Sequence, residues 1–190
     1  DAGGENIYYR GTTTNEVPVT FKISFKLDGQ SVSADEIAGK SGALEMTFDY
    51  INNCKKTVEI DGKNEEMYVP FLMISGMILD NDHFKNITVD NGKVIDDGDK
   101  TVVAGFALPG LSDNLALSDG TDIDIPSSVT IKADVTDFSL ATTLTVATND
   151  VFNKVSIDDD DTVEEIEDKL DTLDSSMKKI EDDATELYGY

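Results

Sequence analysis

The chain has 190 residues, of which 39% are hydrophobic, and this is enough for the core of one ordinary domain plus an appendage. Its 39 acidic and 15 basic residues give a formal net charge of −24, which opposes binding to phosphate backbones and to anionic lipid surfaces. Nucleic acid is therefore excluded as an expected partner, and the single cysteine, Cys54, excludes an internal disulfide and a multi-cysteine metal site.

The first strand-like segment is VPVTFKISFKLDG, in which apolar and polar residues alternate as in a half-buried strand. The apolar positions on one face are Val19, Phe21, Ile23, Phe25 and Leu27. The Asp28-Gly29 pair that follows is typical of a tight turn. The sequence SADEIAGK then provides the single short helical candidate of this region.

Two further segments are strand-like. GALEMTFDYINN alternates again and ends at Asn52-Asn53; its apolar positions are Leu44, Met46, Phe48 and Tyr50. MYVPFLMISGMIL is apolar on both faces, as expected of a central strand, although Pro70 and Gly76 predict a break or a bulge within it.

The strand pattern continues through NITVDNGKVIDDGDKTVVAGFAL, with turns predicted at Asn91-Gly92 and Asp97-Gly98, and through SSVTIKADVTDFSLATTLTVAT. In the last segment Val129, Ile131, Ala133 and Val135 share a face, and Leu140, Leu144 and Val146 carry the return strand. We expect roughly seven to nine strands, joined by gaps too short for crossover helices. The sequence therefore predicts an all-β domain over residues 1–157, an antiparallel immunoglobulin-like β-sandwich that is mainly strand between residues 17 and 155.

The character of the sequence changes at residues 158–161, which are four consecutive aspartates. Their mutual repulsion predicts a solvated hinge, and Asp161 or Thr162 can cap the helix that follows it. Apolar residues then recur at alternating spacings of three and four, which is the a/d pattern of a coiled coil. They are Val163, Ile166, Leu170, Leu173, Met177, Ile180, Ala184 and Leu187. Residues 158–190 are thus predicted to form an acidic hinge and a heptad helix that begins a coiled-coil stalk.

The apolar stripe of this helix has two interpretations, packing against its own sandwich or pairing with another helix. A narrow stripe of two positions in seven favours a helical partner, since a helix lying on a domain usually shows a wider apolar face. Acidic residues near Tyr190 oppose the negative end of a helix, which predicts that the helix continues beyond Tyr190. The sequence also begins at Asp1 rather than at Met, so we expect a longer parent chain. A protein partner, or self-association through the helix, is expected.

No residue pattern predicts catalysis. His83 is the single histidine and is interpreted as a surface loop residue, and Cys54 as an incidental loop thiol without a plausible base near it in sequence. No serine lies in a nucleophile elbow, and no glycine-rich phosphate loop precedes a helix. We expect neither enzymatic activity nor a cofactor.

Oxygen-rich turns such as DNDHF, DDGDK and DGTDID raise the question of a calcium site. None has the spacing of an EF-hand, and Asp and Asn are common at turns for backbone reasons alone. No metal is predicted, and the weak calcium candidate is the group of Asp96, Asp97 and Asp99.

Several blocks of the sequence resemble the ectodomain of the Gram-positive X-X-X-Leu-X-X-Gly heptad-repeat membrane proteins, which are loosely similar to the phage-infection-protein group. The most specific blocks are SGMILDNDHF, FALPGL and VTDFSLATTLTVATND, and the resemblance covers nearly the whole chain. It implies a secreted region that leads into Leu-x-x-Gly helical repeats and then into C-terminal membrane anchoring. Leu187-Tyr188-Gly189 departs slightly from that repeat. The resemblance implies no catalytic residues.

These observations lead to two expectations about function. The first is a non-enzymatic extracellular domain at the cell surface, displayed on a helical stalk, with an interaction or structural role. The alternative is a carbohydrate- or peptide-binding β-sandwich, although the absence of tryptophan weakens the carbohydrate version. A hydrolase is the least favoured class. Apolar runs are far shorter than the ~20 residues of a spanning helix, so membrane attachment is expected only through further parts of the parent chain.

Overall fold

The computed structural model describes residue 14 and residues 16–60, 62–115, 125–140 and 143–149. Of these residues 63% lie in strands and 7% in helices, and the strands pair antiparallel, which confirms the prediction of an all-β fold. The predicted hinge and heptad helix over residues 158–190, with all of its apolar positions, lie outside the described residues.

The described residues form eleven strands and two single-turn helices. In chain order they are β1 (Val19–Leu27), β2 (Gln30–Val32), α1 (Ala34–Ile37), β3 (Gly42–Asn52), β4 (Lys55–Ile60), β5 (Lys63–Tyr68), β6 (Leu72–Asp80), β7 (Phe84–Val89), β8 (Gly92–Asp96), β9 (Lys100–Ala107), α2 (Leu111–Asn114), β10 (Ser128–Val135) and β11 (Thr143–Thr148). The expected seven to nine strands were too few, because the β4–β5 hairpin and the three-residue β2 were not recognised in the sequence.

The strands assemble into two sheets and a separate hairpin. The five-stranded sheet has the order β2-β1-β3-β10-β7, and the four-stranded sheet has the order β11-β6-β9-β8. β4 and β5 pair only with each other and form the hairpin arm. One cluster of buried residues contains side chains from both sheets, so the two sheets face each other across a shared core.

The alternation read from the sequence matches burial best on β3. Leu44, Met46, Phe48 and Tyr50 are all buried on its inner face. On β1 the same alternation is only partly buried, since Phe21 is 51% exposed and its ring lies beside Tyr50 at a centroid distance of 6.4 Å. The shared core therefore does not extend to Phe21.

The two sheets approach closely where β9 passes under β10. A Cβ atom added at Gly105 would overlap Val129 Cγ1 and lie 3.0 Å from Val129 Cγ2, and Val129 is fully buried. Beyond this contact, the Phe138 ring packs edge-on against Phe25 and against Phe84, with both centroid distances at 5.9 Å. Glycine at position 105 thus sets how near the sheets come.

Local turn and cap signals behave as their chemistry predicts. Asp28 and Gly29 have φ values of 50° and 78°, the left-handed pair of a two-residue hairpin turn, and Asp28 Oδ1 accepts a hydrogen bond from the Ala43 N–H at 2.9 Å. The predicted short helix is α1, and Ser33 caps it in a capping box with Glu36. The Ser33 backbone N–H, bonded to Glu36, lowers the pKa of that exposed carboxyl.

β6 is the central strand that its two-sided apolar sequence predicted. Pro70 lies in the connection before β6, which confirms the predicted break. Gly76, however, pairs in continuous register with Ala104 of β9 and Leu144 of β11, so the bulge expected there was wrong. The register shift occurs instead between β10 and β7, near Asn86, whose φ is 52°.

Gly105→Ala should lower the free energy of unfolding by about 1–3 kcal/mol, because the new methyl group overpacks the space occupied by Val129. Urea denaturation with linear extrapolation measures this change. Val129→Ala removes side-chain atoms that the new methyl group would meet. The double variant should therefore lose less free energy of unfolding than the two single variants lose together. A Gly105→Ala variant as stable as the original chain would contradict the close approach of the sheets.

Candidate functional site

The outward face of the five-stranded sheet is mostly polar. Its cross-strand neighbours include Lys22 opposite Asp49, and Lys26 opposite Glu45, whose charged atoms lie 2.5 Å apart. The Lys26 ammonium lowers the pKa of the Glu45 carboxyl through this bond. Farther along, Thr47 and Thr130 share a hydrogen bond of 3.2 Å between their hydroxyls. Such a face is stable in water as it stands.

The outward face of the four-stranded sheet has the opposite character. Met73, Met77 and Leu79 of β6, with Val103 and Ala107 of β9, point into the shared core, so the residues between them point outward. The register aligns these outward residues in three rows. The rows are Val146–Ile74–Phe106, Leu144–Gly76–Ala104 and Ile78–Val102–Ile95, and together these nine residues are called the apolar outer face.

Exposure varies across the apolar outer face. On the edge strand β11, Leu144 and Val146 are 42% and 44% exposed. On β6 and β9, the middle row contains only Gly76 and Ala104, between rows of larger side chains, and Ala104 is 6% exposed. Because Gly76 and Ala104 are both buried, the exposed apolar area of the face belongs to the larger side chains around them.

Sequence reasoning did not identify this face. It grouped Leu140, Leu144 and Val146 as carriers of one return strand, but Leu140 packs against the shared core whereas Leu144 and Val146 are exposed. The inward position of β11 belongs to Thr145, whose hydroxyl lies 2.7 Å from Ser75 Oγ. The signal that points to the face is the apolar character of β6 on both sides, which implies a cover on both sides.

Ser75 is the centre of a buried polar contact between the sheets. Its Oγ lies 2.5 Å from the Tyr50 hydroxyl, so Tyr50, Ser75 and Thr145 form a chain of three hydroxyls. Burial raises the pKa of Tyr50, and the hydrogen bonds to Ser75 and Thr145 act in the opposite direction. These hydrogen bonds satisfy polar groups inside the core, and they fix which residue of β11 faces inward within the four-stranded sheet.

A concave surface lies between the hairpin arm and α2. The side chain of Asn114 holds both backbone groups of Tyr68, accepting from its N–H and donating to its C=O, each at 2.8 Å. Lys55 Nζ lies 4.4 Å from the centroid of the Tyr68 ring. The open groove beside them has a volume of about 520 Å³, and its lining includes Ile60, Glu66 and Asp113.

His83 and Cys54 both lie outside the strands. His83 is half-buried in the turn before β7, and its Nδ1 lies 2.8 Å from the Thr136 carbonyl oxygen. Cys54 is a free, half-buried thiol between β3 and β4, and its backbone N–H donates to Asn52 Oδ1 at 2.9 Å. Both positions agree with the interpretation as loop residues.

The weak calcium candidates lie in the turn between β8 and β9. Asp96 Oδ1 accepts from the Gly98 N–H and from Asn81 Nδ2, both at 2.8 Å, and Asp97 Oδ1 accepts from the Lys100 N–H at 2.8 Å. Asp99 contributes its carbonyl oxygen to the Asn81 N–H at 3.0 Å. Within the described ranges no group of three or more His, Cys, Asp or Glu residues is arranged to hold a metal ion. The carboxylates of Asp96 and Asp97 are thus used to close the turn.

Comparisons with known proteins leave the family open. No protein-family model matches the chain, and neither a curated protein nor a solved structure matches it significantly. Neither helix in the described part of the chain is long and apolar enough to cross a membrane. Function therefore has to be inferred from the surface features themselves.

Removing divalent cations should leave the melting temperature almost unchanged, because packing holds the core and the turn carboxylates already have N–H partners. Differential scanning calorimetry with and without EDTA measures this. A fall of many degrees that Ca²⁺ restores and Mg²⁺ does not would contradict this expectation and assign Asp96, Asp97 and Asp99 as ligands.

The Asp96 turn should give a pH-dependent contribution to stability. The Gly98 N–H, followed by the Asn81 side chain, lowers the pKa of the Asp96 carboxyl. The contribution is therefore complete above the unfolded-state pKa and is lost as the pH falls through the lower folded-state pKa. Asp96→Asn should be less stable than the original chain at neutral pH, and the urea midpoints of the two chains should converge as the pH falls below the folded-state pKa. A difference that stays constant over this range would contradict the charge-dependent role.

Proposed function

We propose that the chain is a non-enzymatic extracellular interaction domain, displayed at a cell surface on a helical stalk that begins within residues 158–190. The observation that carries the proposal is the contrast between the two outward faces. The five-stranded sheet exposes paired charges and threonines, whereas the four-stranded sheet exposes mainly apolar side chains, with Lys93 of β8 next to Ala104 at its edge. An apolar sheet face of this kind is a contact surface, since water on it is unfavourable.

Two parts of the proposal, the stalk and the extracellular location, rest on the sequence. The alternating three-and-four spacing of apolar residues from Val163 to Leu187 is typical of a coiled coil, so the proposed partner there is a helix of a protein or of a second copy. The resemblance to heptad-repeat membrane proteins of Gram-positive bacteria supports an extracellular location and anchoring through further parts of the parent chain. The immunoglobulin-like arrangement of the sandwich belongs to the same proposal.

The alternative function is binding of a carbohydrate or a peptide in the groove beside the hairpin arm. The observation in its favour is the concave surface, whose lining contains one aromatic ring and the three acidic residues Glu65, Glu66 and Asp113. Against a carbohydrate, a Cβ at Gly110 would lie 2.7 Å from Tyr68 Cγ, and Lys55 lies over the same ring. A sugar stacked on Tyr68 would therefore compete with Lys55. Saturable binding on a glycan or peptide array that Tyr68→Ala removes would favour the alternative.

Ile180→Asp should weaken self-association of the full chain at least tenfold, because it places a charge in the stripe that pairs the stalk helices. Analytical ultracentrifugation over a concentration series measures the change. Ser175→Asp is the matched control, since residue 175 lies on the side of the helix opposite the stripe, and it should leave self-association almost unchanged. A chain that is monomeric at every concentration, or equal effects of the two substitutions, would contradict the stalk.

A further inference from the structure

The apolar outer face has a cover on one side only among the described residues. Toward the interior, β6 and β9 pack against the five-stranded sheet through Met73, Met77 and Val103. Toward the exterior, Ile74, Ile78, Val102 and Phe106 stay partly exposed, with Leu144 and Val146 more exposed beside them. A sheet with two apolar faces is normally packed on both of them. A cover for the apolar outer face has therefore to be sought outside the described residues.

We infer that the first two heptads of the C-terminal segment, residues 162–176, pack across the apolar outer face and fix the domain on its stalk. This rests on the proposed function, in which the same segment begins the stalk. The second half of the stripe, from Met177 to Leu187, remains available for pairing with another helix.

The course of the chain supports this occupant. β11 is itself a strand of the four-stranded sheet, and the chain leaves it after Thr148 at the edge of the apolar outer face. Twelve residues, 150–161, lie between the last described residue and the start of the heptads, and they can span about 40 Å. The sheet is only about 14 Å wide between its outer strands. The tether therefore reaches every part of the face and holds the segment at a high effective concentration.

The dimensions of the face also fit a helix better than a second domain. The three rows cover about 14 Å along the strands and about 14 Å across them, between the outermost backbone positions of β11 and β8. A stable interface between two proteins buries about 800 Å² on each partner, several times this area even after side chains are included. A single helix about 10 Å across matches it.

The stripe covers only the middle strands of the face. A stripe of two positions in seven is narrower than the apolar side of most helices that lie on a domain, and the β6–β9 pair holds six of the nine residues of the face. Leu170 lies between Ile166 and Leu173 in the apolar set of the segment. The other eleven residues of 162–176 are six acidic residues, one lysine, two threonines and two serines, so the opposite side of the helix remains solvated.

Thiol accessibility in the full chain tests the inference. In a Cys54→Ser background, Val102→Cys places a probe in the face, and Thr130→Cys places the control on the polar outward face at similar exposure. We expect the probe to react with Ellman's reagent about tenfold more slowly than the control. Ile166→Asp with Leu170→Asp should raise the probe rate to that of the control and leave the control rate unchanged. Val146→Cys, on an exposed edge position, is the second probe should Val102→Cys fail to fold.

Equal probe rates with and without the two aspartates would overturn the inference. Protection that disappears on dilution would also overturn it, because a second copy would then cover the face. The Ile180→Asp measurement stays separate: loss of self-association with an unprotected probe leaves the stalk standing without the docking. Protection that the two aspartates remove, in a chain that never self-associates, supports the docking without the paired stalk.

Discussion

The structure depends on one constraint, which is that β6 is apolar on both faces. A strand of this kind has to lie inside a sheet and has to be covered above and below, because water on either face is unfavourable. Its position between β11 and β9 satisfies the first requirement. The inner face is covered by β3 and β10, through Tyr50 against Ser75 and Val129 against Gly105. The outer face has no cover among the described residues, and the proposed cover is the C-terminal segment.

The rest of the molecule follows from this asymmetry. The five-stranded sheet needs no outer cover, because Lys26, Glu45 and the paired threonines are stable in water. The turns are closed by their own side chains, as Asn81 shows by holding Asp96 and Thr101 together. The hairpin arm is attached through Asn114 and Tyr68 and contributes little to the core, since β4 is exposed along its whole length. The candidate interaction surfaces are therefore the outer side of the four-stranded sheet and the groove beside the arm.

The sequence predicted the strands of the core well, since period-two alternation on β3 and β10 directly reports burial on one face. The prediction failed where the alternation of apolar and polar residues does not follow burial. The hairpin arm has few apolar residues, so its sequence did not predict strands. Gly76 indicated a bulge, although it pairs in continuous register with β9. The direction of Leu144 and Val146 depends on which residue of β11 meets Ser75, a tertiary hydroxyl contact that local sequence does not contain. The apolar sequence of β6 therefore indicated a second apolar face, but the sequence did not predict which residues form it.

Methyl NMR of the full chain tests the central claim, a four-stranded sheet covered on both sides, most directly. With Ile, Leu and Val methyl groups labelled, the account predicts nuclear Overhauser effects between Ile78 or Val102 and Leu170 or Leu173, in addition to those between Val103 and Val129 inside the core. These contacts should have the same intensity in dilute and in concentrated samples. Methyl groups of Ile78 and Val102 that show contacts only within their own sheet would contradict the account.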